Sequence, residues 1–289
     1  MSILVFGFTG QLAQSLRDTK PDCDQLDFVA RDQCDLAEVG QVNAILEQYK
    51  PEFIINSAAY TSVDRAEEES ELAHLVNRRA IQAMAVHVHE HDAKLIHVST
   101  DFVFDGAKTS PYQPGEPTGP LGVYGSSKLA GELVALKAAP ESTMIIRTSW
   151  LYSEYGNNFV KTMLRLMAER DELGVVDDQL GSPTYARGFA EVVWQIVNDE
   201  LFSPGIYHWT DAGGISWYEF AVAIQEEARE IGLLKGGIPI KGIGTSDYPT
   251  LAERPAYSVL DNGKLAKLIG TAPIPWRDNL KRMLLRLAG

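Results

Sequence analysis

The most reactive pair of side chains in this sequence is a phenol and an ammonium group four residues apart, at Tyr124 and Lys128. A spacing of four residues places both groups on one face of a helix. A nearby positive charge stabilises a phenolate, so Lys128 is expected to lower the pKa of Tyr124 toward the range of proton exchange. The pair therefore indicates acid–base chemistry, although the same spacing alone is more often typical of an ordinary helix surface.

A second candidate site is the glycine-containing loop that follows the first apolar run and opens a helix. Gly7 permits a tight turn, Gly10 lets a diphosphate approach the backbone, and the small Ala13 lets the helix lie close to the sheet. Because the loop opens a strand–helix–strand unit, we expect Gly7, Gly10, Gln11 and Leu12 to bind a dinucleotide.

The end of the second predicted strand bears on the choice of coenzyme. Arg31 stands where an NAD-dependent enzyme usually has an acid, and its planar guanidinium suits a ribose 2′-phosphate. This favours NADPH, but NADH stays open because Arg31 also fits a solvated loop and Asp32 could take the role of the acid. Asp35 is expected beside the adenine amino group, next to Leu36, unless it only caps a helix.

The elements that position these groups alternate along the first half of the chain. Strands are predicted at Ile3 to Phe6, Asp27 to Ala30, Phe53 to Asn56, Lys94 to Val98 and Met144 to Arg147, with helices at Val39 to Tyr49, Glu71 to Glu90 and from about Tyr124. This alternation predicts an α/β fold with a Rossmann-type doubly wound parallel sheet, whose ligands lie beyond the carboxyl ends of the strands. Small residues after the third strand place Ala59, Tyr60 and Thr61 against the cofactor, with Val98 near the nicotinamide.

The last third mixes short strands, at Gly205 to Thr210 and Ile238 to Ile243, with helices and prolines, and predicts a smaller α/β substrate domain that interleaves with the first. Residues 1–150 and about 183–200 are assigned to the NAD(P)-binding domain. Residues from about 151–182 and 201–289 are assigned to the substrate domain.

Composition excludes several classes of protein. The 289 residues carry 26 Lys and Arg against 39 Asp and Glu, a formal charge of −13, so general nucleic-acid binding is not expected. The first residues lack the pattern of a signal peptide, and no apolar run is long enough to span a membrane. Two cysteines, Cys23 and Cys34, are too few for a disulfide framework. We therefore expect a soluble cytoplasmic protein.

One histidine-rich segment invites a metal interpretation. His87 and His91 lie one helical turn apart, which is a ligand spacing, but the sequence shows no third ligand beside them. Their helix also leads into the amino end of the fourth strand, away from the predicted site. We assign no metal from the sequence.

The order of these features carries a resemblance to a known superfamily. A glycine loop, then Ser99-Thr100-Asp101 at a strand end, then Tyr-x-x-x-Lys is the order of the extended short-chain dehydrogenases/reductases. Further motifs resemble the dTDP-4-dehydrorhamnose reductase family: Phe6-Gly7-x-Thr9-Gly10-Gln11, Ala59-Tyr60-Thr61-x-Val63-Asp64-x-Ala66-Glu67, Ser99-Thr100-Asp101-x-Val103-Phe104, Arg147-Thr148-Ser149-Trp150-x-Tyr152, Asn157-Asn158-Phe159-Val160-Lys161-Thr162-Met163, Val176-Asp177-Asp178-Gln179-x-Gly181-Ser182-Pro183-Thr184 and Arg254-Pro255-x-x-Ser258-x-Leu260.

The resemblance implies reduction of the 4-keto group of dTDP-4-dehydro-L-rhamnose, with hydride from NADPH or NADH. It implies that Tyr124 supplies the proton, that Lys128 holds the nicotinamide ribose, and that Thr100 hydrogen-bonds the substrate oxygen. By the same resemblance, Asp101 and Trp150 border the sugar. Hydroxyl donors aimed at a carbonyl oxygen agree with this chemistry.

A nucleotide sugar brings two phosphates to an acidic protein, so positive charge must be concentrated locally. The candidates are Lys161, Arg165 and Arg254. A bidentate phosphate contact favours arginine. For Lys161 and Arg165, four residues apart, a solvated helix face is an equally good interpretation.

Two rival functions stay open at this stage. The regulatory subunit of methionine adenosyltransferase resembles these reductases and would bind NADP and a protein without reducing a sugar. A reductase of another nucleotide-linked keto sugar is the second, since uridine and thymidine differ by one methyl group. A homodimer is also left open.

Overall fold

The fold is described by a computed structural model for residues 1–23 and 25–289, which contain twelve strands and eleven α-helices. The strands are β1 (Ile3–Phe6), β2 (Leu26–Val29), β3 (Phe53–Asn56), β4 (Lys94–Thr100), β5 (Thr143–Thr148), β6 (Leu151–Tyr152), β7 (Leu173–Val176), β8 (Leu180–Gly181), β9 (Thr184–Tyr185), β10 (Gly205–His208), β11 (Ile215–Ser216) and β12 (Ile240–Ile243). The helices are α1 (Gln11–Asp18), α2 (Val39–Tyr49), α3 (Val63–Ala66), α4 (Ser70–His74), α5 (Ala80–Glu90), α6 (Val123–Ala138), α7 (Phe159–Glu169), α8 (Ala186–Asn198), α9 (Trp217–Glu230), α10 (Gly263–Ile269) and α11 (Trp276–Ala288).

Six parallel strands form the central sheet, in the order β10-β5-β4-β3-β1-β2. Strands β1, β3 and β5 are buried along their whole length, as their continuous apolar runs predict for a sheet covered on both faces. The predicted Rossmann-type sheet is confirmed. Because the chain leaves β1 toward β2 and then returns to β3 on the other side, a crevice opens beyond the carboxyl ends of these strands.

Helices cover both faces of the sheet. On one face, α1, α8 and α10 contribute Leu16, Phe189 and Leu265 to an apolar core. On the other face, α2 and α5 contribute Leu46 and Met84. No helix in these described ranges is long and apolar enough to cross a membrane.

A smaller lobe is built from three two-stranded pairs, β6 with β9, β7 with β12 and β8 with β11, and from helices α7, α9 and α11. Its core includes Met163, Phe220 and Leu280, one from each of these helices. The lobe therefore has an apolar core of its own.

The boundary between the lobes differs from the sequence prediction at one place. The sequence predicts residues 201–289 in the substrate domain, yet β10 is the edge strand of the central sheet and pairs with β5. Helix α10 also packs Leu265 and Ile269 into the sheet's core. The reason is that β5 would otherwise leave one edge unpaired, and a parallel strand from the distant part of the chain covers it.

The helix predicted from Glu71 to Glu90 has an interruption. Helix α4 leads into a π-helical segment, Leu75–Arg79, before α5 begins. A π-helical turn contains one residue more than an α-helical turn, and the spacing of apolar residues does not predict where such a turn occurs. Such segments frequently mark functional sites.

Candidate functional site

The loops that carry the predicted site residues meet at one edge of the central sheet. Strand register aligns Phe6 with Asn56, and Asn56 with His97, so β1, β3 and β4 run level toward that edge. Strand β4 then extends three residues farther, to Thr100. The glycine loop, the segment after β3 and the hydroxyl of Thr100 therefore border the same crevice.

The glycine loop has the geometry of an anion site. Gly7 has a φ of +122°, and a Cβ there would lie 2.6 Å from Ser57 Oγ, so only glycine fits. A Cβ on Gly10, in contrast, would meet nothing within 4 Å. Gly10 caps α1 without a side-chain hydrogen bond, and the first turn of α1 contains no acid. Backbone amides at a helix start that has no side-chain cap, beside open space, fit a cofactor diphosphate.

Gln11 takes a different role from the one that its position suggests. Its side chain donates to the carbonyl of Leu151 and accepts from Ser153 Oγ and Asn158 Nδ2. Leu12 is buried in the core. Both residues can therefore contact a cofactor through the backbone, while the Gln11 side chain ties the glycine loop to the smaller lobe.

The two polar residues predicted at the adenosine end contact each other. Arg31 lies with 81% of its side chain exposed, and its Nη2 is 3.3 Å from Asp35 Oδ2. Asp35 also accepts from the backbone amide of Ala37, as a residue that starts a helical turn does. Asp32 is exposed and Leu36 is buried. Arg31 is free enough to turn toward a ligand, while Asp35 is partly committed to the backbone.

Helix α6 presents Tyr124 and Lys128 because two of its glycines let it lie unusually close to its neighbours. A Cβ on Gly125 would be 2.2 Å from the carbonyl oxygen of Phe102, and one on Gly131 would be 2.0 Å from that of Asn77. The helix thus packs directly on the 3₁₀ turn after β4, Asp101–Val103, and on the π-helical segment. Close backbone contact fixes the position of the reactive face.

Lys128 is buried, and its ammonium group is held by two residues of strand β4. Its Nζ donates to the carbonyl of Val98 at 2.7 Å and lies 3.4 Å from His97 Nε2. His97 is in turn fixed by Asn56 Nδ2, 3.1 Å from His97 Nδ1. Burial lowers the pKa of Lys128 to about 8, against an opposing effect of Glu132. The ammonium form therefore predominates at neutral pH.

The acidity of Tyr124 differs from the sequence prediction. Burial raises the pKa of this phenol to about 12, with a hydrogen bond to Thr100 acting in the opposite direction and the charge of Asp101 adding to the rise. The Lys128 ammonium, which the sequence analysis expects to lower this pKa, donates to the carbonyl of Val98. A phenol with this pKa is fully protonated at neutral pH, which suits a proton donor.

The end of β4 brings Thr100 and Asp101 next to that phenol. Thr100 Oγ1 donates to Asp101 Oδ1 at 3.0 Å and accepts from the amide of Phe102 at 3.2 Å. Asp101 is 2% exposed, and no group within residues 1–23 and 25–289 forms a hydrogen bond with its Oδ2. Burial raises the pKa of Asp101 to about 6. A buried carboxylate oxygen without a partner, beside two hydroxyls, is consistent with a contact to a hydroxyl-rich ligand.

The segment Ala59 to Thr61 is held by a residue that the sequence analysis missed. Asn77, in the π-helical segment, accepts from the amide of Tyr60, donates to its carbonyl and donates to Ser127 Oγ on α6. Ala59 and Tyr60 are partly buried and Thr61 is exposed. Asn77 therefore joins the loop after β3 to the helix that carries Tyr124.

The sequence analysis did not select Asn56, His97 or Asn77, and only the first two stand out in the sequence. Asn56 and His97 are polar residues inside otherwise apolar strands, a pattern that could have marked them. Asn77 lies in an amphipathic stretch where a polar residue is ordinary. Its role depends on the π-helical turn.

Trp150 lies where β5 ends and has an unusual backbone, with a φ of +45°. Its ring stacks on Trp217 at 3.4 Å, and Gly181 leaves room for it, since a Cβ there would lie 2.5 Å from the indole. A bulky residue in the left-handed region is strained, and such strain is concentrated at functional sites. Trp217, the first residue of α9, also packs against the apolar core of the smaller lobe.

The three cations predicted to bind a diphosphate are each engaged with a different partner. Arg254 makes a bidentate contact with Asp64. Its Nη1 donates to Oδ1 at 3.1 Å, and its Nη2 donates to Oδ2 at 2.7 Å. Lys161 Nζ donates to the carbonyl of Glu154 at 3.1 Å. Arg165 pairs with Glu169 on its own helix and is 59% exposed. Their charge is therefore not assembled into one preformed anion site.

Nearly the whole chain matches a known protein family, sequence relatives and solved structures. Residues 1–288 match the family described as the RmlD substrate binding domain. The dTDP-4-dehydrorhamnose reductase of Aggregatibacter actinomycetemcomitans is 45% identical over 287 residues, which cover 97% of each chain. A crystal structure of a dTDP-4-dehydrorhamnose reductase from Clostridium acetobutylicum superposes with a TM-score of 0.92 at 34% identity, covering 100% of both chains. That from Bacillus anthracis, in complex with NADP, has a TM-score of 0.91 at 34% identity and covers 99% of this chain and 100% of its own.

Proposed function

This chain belongs to the family described as the RmlD substrate binding domain, and from that premise we propose that it reduces the 4-keto group of dTDP-4-dehydro-L-rhamnose. The product is dTDP-L-rhamnose. The observation that carries the proposal is the meeting of Tyr124 and Thr100 hydroxyls above a buried Lys128, beside a glycine loop with free amides. The Aggregatibacter actinomycetemcomitans and Clostridium acetobutylicum reductases cover 97% and 100% of this chain.

The cofactor in this proposal is NADPH. Its diphosphate fits the open space at Gly10, and the exposed guanidinium of Arg31 can reach a 2′-phosphate. When bound, the reduced nicotinamide supplies the hydride that reduces the carbonyl carbon. The Bacillus anthracis relative, 34% identical, is in complex with NADP.

The protein's own side chains supply the proton and the orientation. Tyr124, protonated at neutral pH, gives its phenolic proton to the carbonyl oxygen as the alcohol forms. The Thr100 hydroxyl, which donates to Asp101 Oδ1 in this structure, turns to donate a second hydrogen bond to that oxygen and so stabilises its developing charge. Lys128, fixed by Val98 and His97, places a positive charge beneath the reacting groups and holds the nicotinamide ribose.

The sugar and its nucleotide are placed by residues from both lobes. We assign Asp101 and Trp150 to the border of the sugar, and Lys161, Arg165 and Arg254 to the diphosphate. The unpartnered Oδ2 of Asp101 and the strained backbone of Trp150 support the first assignment. A cytoplasmic location belongs to the same proposal, and the two free cysteines, Cys23 and Cys34, agree with it.

The test is a coupled assay of purified protein, followed by the loss of NADPH absorbance. We expect oxidation of NADPH with the dTDP-linked keto sugar, faster than with NADH or with the UDP-linked sugar. Tyr124→Phe should lower kcat by about 10²- to 10⁴-fold, because it removes the proton donor. NADPH binding, measured by fluorescence titration, should stay within about twofold, since the phenol oxygen is a small part of a dinucleotide site.

Tyr49→Phe is the matched control, because it makes the same chemical change at the opposite end of the sheet and should leave kcat unchanged. A rate retained in Tyr124→Phe would remove Tyr124 from the mechanism. Tight NADPH binding without reduction of any keto sugar, together with a stoichiometric protein partner, would favour the non-catalytic regulatory alternative.

A further inference from the structure

A cluster of potential metal ligands lies on the outer face of the sheet's helical layer, where α2 packs against α5. Glu47 comes from α2, His87 comes from α5, and His91 is the residue that directly follows α5. One ligand atom from each of these residues lies within 4.8 Å of the other two. The sequence showed only the histidine pair. The third ligand, 40 residues earlier in the chain, is brought to it by helix packing.

His87 is the strongest single observation in this cluster. His87 is 6% exposed, and in the part of the chain that the structure describes its buried Nε2 has no hydrogen-bond partner. A buried polar atom without a partner costs about 1–3 kcal/mol, so such atoms usually mark a missing ligand or water. Burial and the neighbouring His91 lower the pKa of His87.

His91 and Glu47 complete the arrangement at its exposed side. The rings of His87 and His91 are 4.3 Å apart, and His91 Nε2 is 4.0 Å from Glu47 Oε1. Bond lengths of about 2.0–2.2 Å around a tetrahedral ion place ligand atoms about 3.4 Å apart. The three groups can reach that spacing by small side-chain rotations, because His91 and Glu47 are exposed.

A surface cavity of about 750 Å³ adjoins the cluster and is lined by Glu47 and His87. It leaves room for a water molecule or a small anion as a fourth ligand. Arg78, Arg79 and Glu90 also line this cavity, and the two arginines can stabilise an anionic fourth ligand.

We propose that Glu47, His87 and His91 form a binding site for a borderline transition-metal dication, of which Zn²⁺ is the best match. Two imidazoles and one carboxylate suit Zn²⁺, whereas Mg²⁺ and Ca²⁺ require oxygen ligands. The site joins α2 to α5 near the ends of these helices, just before β3 and β4 begin. It is therefore at the amino ends of the strands, opposite to Tyr124, and clamps the helical layer without taking part in the reduction.

The experiment uses the full-length protein, freed of metal by a chelator and then desalted. Zn²⁺ is titrated in competition with a chromophoric chelator, and Co²⁺ is added separately to record the visible absorption typical of a tetrahedral site. We expect one Zn²⁺ per chain, a tetrahedral Co²⁺ spectrum, and a Tm that rises on addition of Zn²⁺. His91→Gln and Glu47→Gln should each weaken Zn²⁺ binding by at least about tenfold.

His89→Gln is the matched control, since His89 is an exposed histidine on the same helix that lies outside the cluster. It should leave the affinity for Zn²⁺ unchanged. Because His91 and Glu47 are exposed, their variants should fold, which circular dichroism can verify. Equal affinity in His91→Gln and the wild type, an equal loss in His89→Gln, or no saturable Zn²⁺ binding would each overturn the proposal. None of these outcomes depends on the reductase activity.

Discussion

The two regions proposed to hold diphosphates, the glycine loop and the cation-bearing side of the smaller lobe, attract anions in different ways. At the glycine loop the attraction comes from backbone amides at the start of α1, where Gly10 provides no side-chain cap and the first turn contains no acid. In the smaller lobe it comes from the side chains of Lys161, Arg165 and Arg254, each of which already contacts another group of the protein. One region is preorganised, and the other must exchange partners.

The difference has a simple physical origin. Backbone amides at a helix start are fixed by the helix itself and cannot turn to another acceptor. Long cationic side chains in a protein of formal charge −13 find acids easily, so their free charge depends on what else lies within reach. A ligand phosphate therefore has to displace Asp64 before it can form a bidentate contact with Arg254.

The largest effect is expected from Gly10→Ala. The φ of Gly10 is −67° and a Cβ there meets no atom within 4 Å, so the variant should fold with a change of no more than about 1 kcal/mol in its free energy of unfolding. The methyl group, however, occupies space that we assign to a diphosphate, and should raise the Kd for NADPH about 10- to 100-fold. Fluorescence titration measures this, with Gly236→Ala as control because its Cβ also meets no atom. An unchanged Kd would place the diphosphate elsewhere.

Arg254→Met tests the second region. Loss of a charged hydrogen-bonding group, worth about 1.5–3 kcal/mol, should raise the KM for the nucleotide sugar about tenfold or more, with kcat little changed. Asp64→Asn should act in the opposite direction and lower this KM, because it frees the guanidinium. Steady-state kinetics of both variants decide the point. If both raise KM, Asp64 positions Arg254 for the substrate and does not compete with it.

A smaller effect is expected from Arg31→Ala, which concerns a cation at the edge of the preorganised region. Because this side chain is 81% exposed, its contact with a 2′-phosphate is screened, and the preference for NADPH over NADH should fall by about three- to fivefold. The ratio of kcat/KM for the two coenzymes measures it. A ratio that stays the same would leave the coenzyme preference to other residues.

The smallest effect is expected from Arg165→Met. This arginine is 59% exposed and paired with Glu169 on the same helix, so its removal should change the KM for the nucleotide sugar by less than about threefold. Lys161→Met should have a larger effect, because Lys161 is partly buried near the amino end of α7. Kinetics of the two variants side by side check this order. A reversed order would show that the guanidinium leaves Glu169 when substrate binds.

Much of the fold was accessible from the sequence because its signals are local. Strands β1 and β3 and helix α2 have the predicted bounds, since continuous apolar runs and helical periodicity are properties of short segments. Strand β10 was assigned to the wrong lobe because a short edge strand carries no sign of which sheet it joins. The π-helical turn before α5 was missed for a similar reason.

By itself, the sequence determined the parallel sheet, the glycine loop and the spacing of Tyr124 and Lys128, all of which follow from backbone geometry over a few residues. Only the tertiary structure decided what those groups touch. Arg254 meets Asp64 across 190 residues, and Glu47 joins His87 and His91 across two helices. The pKa of Tyr124 belongs to the same class, because it depends on how far folding removes the phenol from water.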